Sequence, residues 1–331
     1  MRDRLREISV RLPVTGCPAW RSSLKRISGM LLLAGLLLVL AVGCRGGQSA
    51  VGREPTGVDV GPDESVSPDI LPADDDFCEI TVFNVGKADS MLIRSEGHNI
   101  LIDTGEFTSA SYIIERLKKL GAEHLDLVII THFDRDHVGG APLILEDEAI
   151  TFDEVIYPDY SNNKSVYFSF RRFLEDYNIE GQVSSQKDYS FGGMTLSVYP
   201  VSDPQKIREK SDSIDNDMSM ICMLSYKEYK FLFMGDAEKE RLKELLGKKK
   251  MKTALSCDWI KMPHHGEYNK RIPDLIDACM PKYAIITDSV NEPAEAAVME
   301  CLKERKVEIY ESIYGDIVTR VDENGIDISY R

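Results

Sequence analysis

The sequence predicts an α+β fold in which two mixed β sheets pack face to face with helices outside. Three observations carry this. Apolar runs with strand-like patterning alternate with helical spacings through both halves of the chain. The polar motifs all fall where strands end, the usual place for sites in such folds. Hydrophobic residues make up 43% of the 331 positions, enough for a full core.

The elements follow in order from residue 77. Residues 78–83 alternate like a strand, and strands at 90–94 and 99–102 flank a Glu96-Gly97-His98 turn. Residues 110–120 have helical spacing, with Ile113, Ile114, Leu117 and Leu120 on one face and Gly121 as the stop. The continuous run Leu125-Asp126-Leu127-Val128-Ile129-Ile130 reads as a buried strand. A short helix follows Gly140. A strand covers 154–157, an aromatic-rich helix 166–177 and a strand 194–199. The second series opens with strands at 219–226 and 230–234, punctuated by Gly235-Asp236-Ala237. Residues 238–246 form a helix with Leu242, Leu245 and Leu246 inward. A strand at 259–262 ends in Pro263-His264-His265-Gly266. Two βα units and a C-terminal strand pair complete the chain, with strands at 283–287 and 307–310 and a helix over 293–303. No internal repeat is present.

Residues 1–44 read as an export signal outside the fold. Arg2, Arg4, Arg6, Arg11, Arg21, Lys25 and Arg26 make a basic lead, Met30 to Val42 is Leu-rich and apolar, and Ala41-Val42-Gly43-Cys44 closes it. The apolar run is short for a membrane span. The cysteine after small residues resembles a bacterial lipoprotein signal, which implies a lipid anchor at Cys44 and an extracytoplasmic, cell-membrane address. Secretion or an uncleaved signal anchor is the alternative. Residues 45–76, rich in Gly, Ser, Pro and Asp, read as a flexible acidic tether, and 77–331 as the folded domain.

Seven of the 40 basic and two of the 55 acidic residues lie in the first 44. That leaves 33 and 53, a formal charge of −20. Such a balance argues against a broad basic surface for nucleic acid and against electrostatic adhesion to anionic lipid. Cys78, Cys222, Cys257, Cys279 and Cys301 remain after export. They form no CxxC pair, so a zinc ribbon is excluded, and they read mostly as small buried apolar residues.

The chemistry concentrates in four motifs. Residues 131–140 read Thr-His-Phe-Asp-Arg-Asp-His-Val-Gly-Gly, so His132, Asp134, Arg135, Asp136 and His137 crowd one strand end. Crowded carboxylates are costly, and a divalent metal is the natural charge to offset them. Asp103-Thr104-Gly105 suits a supporting carboxylate that orients a ligand histidine. Met234-Gly235-Asp236 presents one carboxylate at a sheet edge. The adjacent His264 and His265 point in different directions, so one can ligate while the other acts on substrate or supports the ligands from behind. The ligand set is therefore His132, Asp134, Asp136, His137, Asp236 and one of His264/His265. Mixed nitrogen and oxygen donors without cysteine suit zinc, manganese or iron. They suffice for two metals bridged by a carboxylate, an arrangement that activates water and clamps the oxygens of a displaced ester or phosphodiester.

In combination these residues resemble the metallo-β-lactamase superfamily, over residues 78–320. The superfamily loop has the form His-x-His-x-Asp-His. Here Asp134 stands in the second histidine's place, which is similar to the hydrolase domain of ComEC-type competence proteins. Asn84-Val85-Gly86-Lys87-Ala88-Asp89-Ser90, Leu101-Ile102-Asp103-Thr104-Gly105, Asn216-Asp217-Met218-Ser219, Phe233-Met234-Gly235-Asp236 and Met262-Pro263-His264-His265-Gly266 share that likeness. The resemblance implies a four-layer αββα sandwich with its metal site at the sheet edge. It implies His132 and Asp134 on a first metal, with Asp136, His137 and one of His264/His265 on a second. Asp236 would bridge, and Asp89 and Asp103 would support the loop.

Two departures stand out. No histidine lies between His137 and His264, so Asn216, Asp217 or Ser219 is the candidate to replace the superfamily's middle histidine. Such an oxygen-rich first site favours manganese over zinc. Lys87-Ala88 replaces an expected Gln-Gly, and Lys87 could reach an anionic substrate or be a solvated turn residue. The membrane channel segments of a competence protein are not part of the resemblance.

The implied function is a metal-dependent phosphodiesterase or nuclease-like hydrolase using two Zn or Mn ions. DNA or another phosphodiester is the substrate, and no protein partner is expected. Asp136 and the non-ligating member of His264/His265 would handle protons. A small ester, lactone, β-lactam or phosphocholine-type substrate is the alternative within enzymes. A non-catalytic binding or sensing module is the alternative outside them.

Overall fold

A computed structural model describes residues 77–331. The export signal, the Cys44 anchor and the tether expected over 1–76 lie outside the described residues. In chain order the strands of the first half are β1 (Cys78–Val82), β2 (Met91–Ser95), β3 (His98–Ile102), β4 (His124–Ile129), β5 (Thr151–Pro158), β6 (Gln182–Val183), β7 (Lys187–Phe191) and β8 (Met194–Tyr199). Those of the second are β9 (Ile221–Tyr226), β10 (Tyr229–Phe233), β11 (Trp259–Lys261), β12 (Tyr283–Ile286), β13 (Glu308–Glu311), β14 (Ile317–Asp322) and β15 (Gly325–Tyr330). They form an eight-stranded sheet, ordered β15-β14-β1-β2-β3-β4-β5-β6, and a seven-stranded sheet, ordered β13-β12-β11-β10-β9-β8-β7.

The helices are α1 (Ala110–Lys119), α2 (Arg135–Val138), α3 (Ala141–Leu145), α4 (Ser165–Asp176) and α5 (Pro204–Lys210), then α6 (Ile214–Asp217), α7 (Lys239–Gly247), α8 (Lys249–Ala254), α9 (Ile272–Cys279) and α10 (Ala296–Glu304). Among the described residues no helix is long and apolar enough to cross a membrane.

Three apolar layers separate four layers of structure, which is the αββα sandwich expected. Strand periodicity sorts the side chains. In β4, Leu127 and Ile129 enter the core between the sheets, while Val128 joins Ile113, Leu117, Ile144, Phe170 and Phe173 beneath α1, α3 and α4. In the second sheet, Phe231, Phe233 and Trp259 face the intersheet core, and Leu232 and Ile260 pack under α7, α9 and α10 with Leu242, Ile276 and Leu302. Each such large side chain contributes roughly 1.5–3 kcal/mol by leaving water. The five cysteines among the described residues are free and buried.

Parallel pairing positions the site. β3, β4 and β5 run parallel in one sheet, and β10, β11, β12 and β13 in the other. Their C-terminal loops carry the four motifs. The helix expected from residue 293 begins at Ala296 instead. Ala294 N–H donates to Asp288 Oδ2 at 3.1 Å and Glu295 N–H to the Gly266 carbonyl at 3.0 Å, so this stretch is tied to the site loop before the helix starts.

Candidate metal centre

Backbone hydrogen bonds join the loops after β1, β3 and β4. Asp89 N–H donates to the Asp136 carbonyl at 3.0 Å, Gly105 N–H to Asp89 at 2.8 Å and Thr104 N–H to His137 at 2.8 Å. Gly140 N–H donates to Gly105 at 3.0 Å, and a Cβ at Gly140 would collide with the Thr104 carbonyl. The second Gly of the 131–140 motif is thus required by a close backbone approach.

Asp103, in the left-handed region at φ 58°, is buried at the head of β3. It accepts from Thr131 N–H at 2.8 Å and from Thr131 Oγ1 at 2.7 Å. Its Oδ2 also lies 2.8 Å from His137 Nδ1. That contact sets Nδ1 as the protonated nitrogen and frees Nε2. Nε2 lies 3.1 Å from Asp236 Oδ1 and 4.0 Å from Asp136 Oδ2.

The two adjacent histidines separate by backbone strain. His264 and His265 both have positive φ, 46° and 53°, which costs about 1–3 kcal/mol each at non-glycine residues. The turn sends His265 inward. Its Nδ1 lies 2.8 Å from the Thr287 carbonyl, and its Nε2 lies 3.2 Å from Asp136 Oδ2 and 3.3 Å from Asp236 Oδ2. His264 goes elsewhere. Its Nδ1 is 3.1 Å from Glu238 Oε1, and its Nε2 is 3.3 Å from Asn216 Nδ2, which donates to the same Glu238 oxygen at 2.8 Å.

One donor atom each from Asp136, His137, Asp236 and His265 therefore lies within 4.8 Å of the others. His132 stands at the edge of this group. Its ring is 4.1 Å from that of His137, and its Nε2 is 3.9 Å from Asp236 Oδ2. The Nε2 atoms of His132 and His137 and Oδ1 of Asp236 are buried without a hydrogen bond, even though the last two are 3.1 Å apart. Unsatisfied buried polar atoms are expensive, and these converge on one space with the donor types of a divalent ion. The residues present fit such an ion.

The electrostatics agree with that fit. Burial pulls His137 down, but Asp236, Asp103 and Asp89 outweigh it and hold the imidazole well above its usual range. For His265, burial is outweighed chiefly by Asp236, leaving it at about 9. Burial raises Asp236 and Asp136, yet the two histidines hold both carboxyls well below the usual range. His132, by burial and then by the His137 charge, is held down at about 3. The carboxylates crowded around His137 and His265 concentrate negative charge at this point, and a divalent ion would balance it.

The remaining candidates lie outside the group. Asp134 pairs with Lys164. Asp217 accepts from Arg241 N–H at 2.9 Å and Ser211 Oγ at 2.6 Å, and Ser219 Oγ accepts from Asp236 N–H at 3.1 Å. Asp89 accepts from Thr287 Oγ1 at 2.6 Å and pairs with Lys261. Lys87 pairs with Glu267 and lies 3.9 Å from Glu292. Arg135 pairs with Glu106 at 3.0 Å.

Sequence reasoning missed Glu238, Asp215, Lys164, Thr287 and the placement of Lys261. Only Lys261 left a signal. By strand alternation it shares the inward face of Trp259, yet it is a lysine, and it is 0% exposed.

Residues 84–173, which carry the 131–140 motif and the loops that support it, match the model of the metallo-beta-lactamase superfamily, and the two-sheet sandwich with helices outside agrees with that fold. Competence proteins are among the chain's curated relatives. The chain is 24% identical to ComE operon protein 3 of Bacillus subtilis over 76% of this chain and 33% of that protein. It is 22% identical to competence protein ComA of Neisseria gonorrhoeae over 70% of this chain and 30% of that one. The chain thus spans a third or less of these relatives. Among solved structures it is similar to the metallo-beta-lactamase fold protein YhfI of Bacillus subtilis, with 13% identity and a TM-score of 0.46 over 71% of this chain and 96% of that one.

Proposed function

We propose that the chain is a metal-dependent phosphodiesterase whose divalent ion is held by Asp136, His137, Asp236 and His265. The observation that carries this is the convergence of four donors, with buried Nε2 and Oδ1 atoms left unsatisfied. When bound, zinc or manganese supplies Lewis acidity and lowers the pKa of water.

The residues around it have separable tasks. Asp103 and Thr287 fix the tautomers of His137 and His265, so that both present Nε2. Asp136, a quarter exposed, would orient the attacking water or accept its proton. His264, oriented by Glu238 and Asn216, donates a proton to the leaving oxygen. Burial lowers its basicity, but the Glu238 hydrogen bond outweighs this and raises it.

The phosphodiester class draws support from the competence relatives and from Asp134 in the histidine position. DNA is the substrate on this reading, and the Cys44 anchor would hold the enzyme outside the cytoplasm. One observation favours a smaller substrate such as an ester, lactone, β-lactam or phosphocholine-type head group: Lys87 and Arg135 are already paired with glutamates.

The test is a panel of bis-nitrophenyl phosphate, single-stranded DNA, a lactone and a β-lactam in metal-replete buffer, with a salt series on the DNA. Cleavage of the first two is expected, with DNA cleavage falling as salt rises. Turnover of the lactone or β-lactam alone would overturn the phosphodiester reading.

A further inference from the structure

Asp134 is the implied first-metal ligand that the cluster leaves out. Its Oδ1 pairs with the Lys164 ammonium. The same Nζ lies 2.8 Å from Oδ2 of Asp215. Asp134 is the N-cap residue of α2, Lys164 that of α4, and Asp215 sits in α6. Three separate elements thus bring one ammonium between two carboxylates.

The other donors expected at a first metal are engaged elsewhere. Asn216 serves Glu238, Asp217 serves Arg241 and Ser211, and Ser219 serves Asp236. His132 Nε2 faces Asp236 Oδ2 at 3.9 Å. A divalent ion on Asp134 would have to break the Lys164 pair and then sit beside a like charge. The second position also has an ammonium nearby, Lys261 Nζ at 3.7 Å from Asp236 Oδ1, but that ammonium is engaged by Asp89 and the Gly235 carbonyl, which leaves two imidazoles and two carboxylates to converge. The donor set for a first metal does not fit.

We propose that the Lys164 ammonium stands in for the first metal, so that the chain binds a single divalent ion, at Asp136, His137, Asp236 and His265 with His132 as an added donor. This rests on the metal-dependent reading above and narrows it from two ions to one. The positive charge on the Asp134 side is then a tethered ammonium, which can attract an anionic oxygen but cannot act as a Lewis acid.

The full chain is stripped with chelator, saturated with Mn(II) and desalted. Bound manganese is counted by plasma mass spectrometry, and coupling between ions is read by electron paramagnetic resonance. One ion per chain with an uncoupled signal is expected for the wild type. Lys164→Met is expected to take a second ion and show a coupled signal. Lys164 is 45% exposed, so the substitution sits at a tolerant position, and Lys164→Gln provides a polar second variant. Two ions in the wild type, or a single ion in both variants, would overturn the proposal and leave the metal-dependent reading intact. No ion in the wild type would remove both.

Discussion

The ammonium of Lys261 lies 3.7 Å from Oδ1 of Asp236, with both side chains buried beneath the metal centre. Lys261 also pairs with Asp89 and lies 3.3 Å from the Gly235 carbonyl. A buried cation here offsets carboxylates that would otherwise repel each other beside Asp236. Removing one partner of a buried pair costs about 3–5 kcal/mol, because the other charge stays behind. Lys261→Met should therefore lower unfolding free energy by that amount in denaturant titration, and Lys261→Met with Asp89→Asn should recover part of it. A loss under about 1 kcal/mol would show that the charge is not needed.

Asp103 acts on the ion indirectly, through His137 and through Thr131, whose N–H and Oγ1 both donate to it. Partners of this kind typically contribute 10- to 100-fold to metal affinity. Asp103→Asn should weaken binding by about that factor in a chelator competition, with the fold retained by circular dichroism. Unchanged affinity would mean that His137 is oriented by packing alone.

His264 and His265 differ in predicted consequence although they are neighbours. His265→Ala should abolish metal binding. His264→Ala and Glu238→Gln should keep the ion and lower kcat by about 10²–10⁴-fold and by a smaller factor, respectively. Metal content and kcat measured on the same samples separate the two roles, and loss of the ion from His264→Ala would reverse the assignment.

The choice between these histidines was not legible in the sequence. Pro263-His264-His265-Gly266 marks a strand end, but which ring turns inward depends on two successive left-handed residues, and nothing in the composition forces them. The strands of the core were legible because each face carries its own apolar set, as Leu127 and Val128 show. Ile272, Leu275, Ile276 and Cys279 share one face of α9, a periodicity present in the sequence but too short to stand out. The pairing of β14 with β1 joins opposite ends of the domain, and no local pattern announces it. Lys164 meets Asp134 and Asp215 across 30 and 51 positions, so only the packing of α2, α4 and α6 brings them together.

A pH dependence of stability is expected away from the metal centre. Glu244 accepts from Arg241 Nη1 at 2.6 Å and Ser202 N–H at 2.9 Å. Burial raises its carboxyl, but the Arg241 charge and the Ser202 hydrogen bonds outweigh this and bring it from 4.5 to about 2. Because the folded value is depressed, the contribution is fully present above pH 4.5 and is lost as pH falls toward 2. It amounts to roughly 3 kcal/mol at most. Glu244→Gln should flatten the stability profile across that window, measured by urea unfolding at several pH values. An unchanged slope would assign the acid sensitivity to other carboxylates.

The most direct measurement is hydrolysis of bis-nitrophenyl phosphate by chelator-stripped protein before and after reconstitution with manganese or zinc, alongside Asp236→Asn. Asp236 is the carboxylate that faces His132, His137 and His265 together. Stripped protein should be inactive, the returned ion should restore turnover, and Asp236→Asn should stay inactive with either metal. Hydrolysis that survives chelation, or that Asp236→Asn leaves intact, would contradict the account.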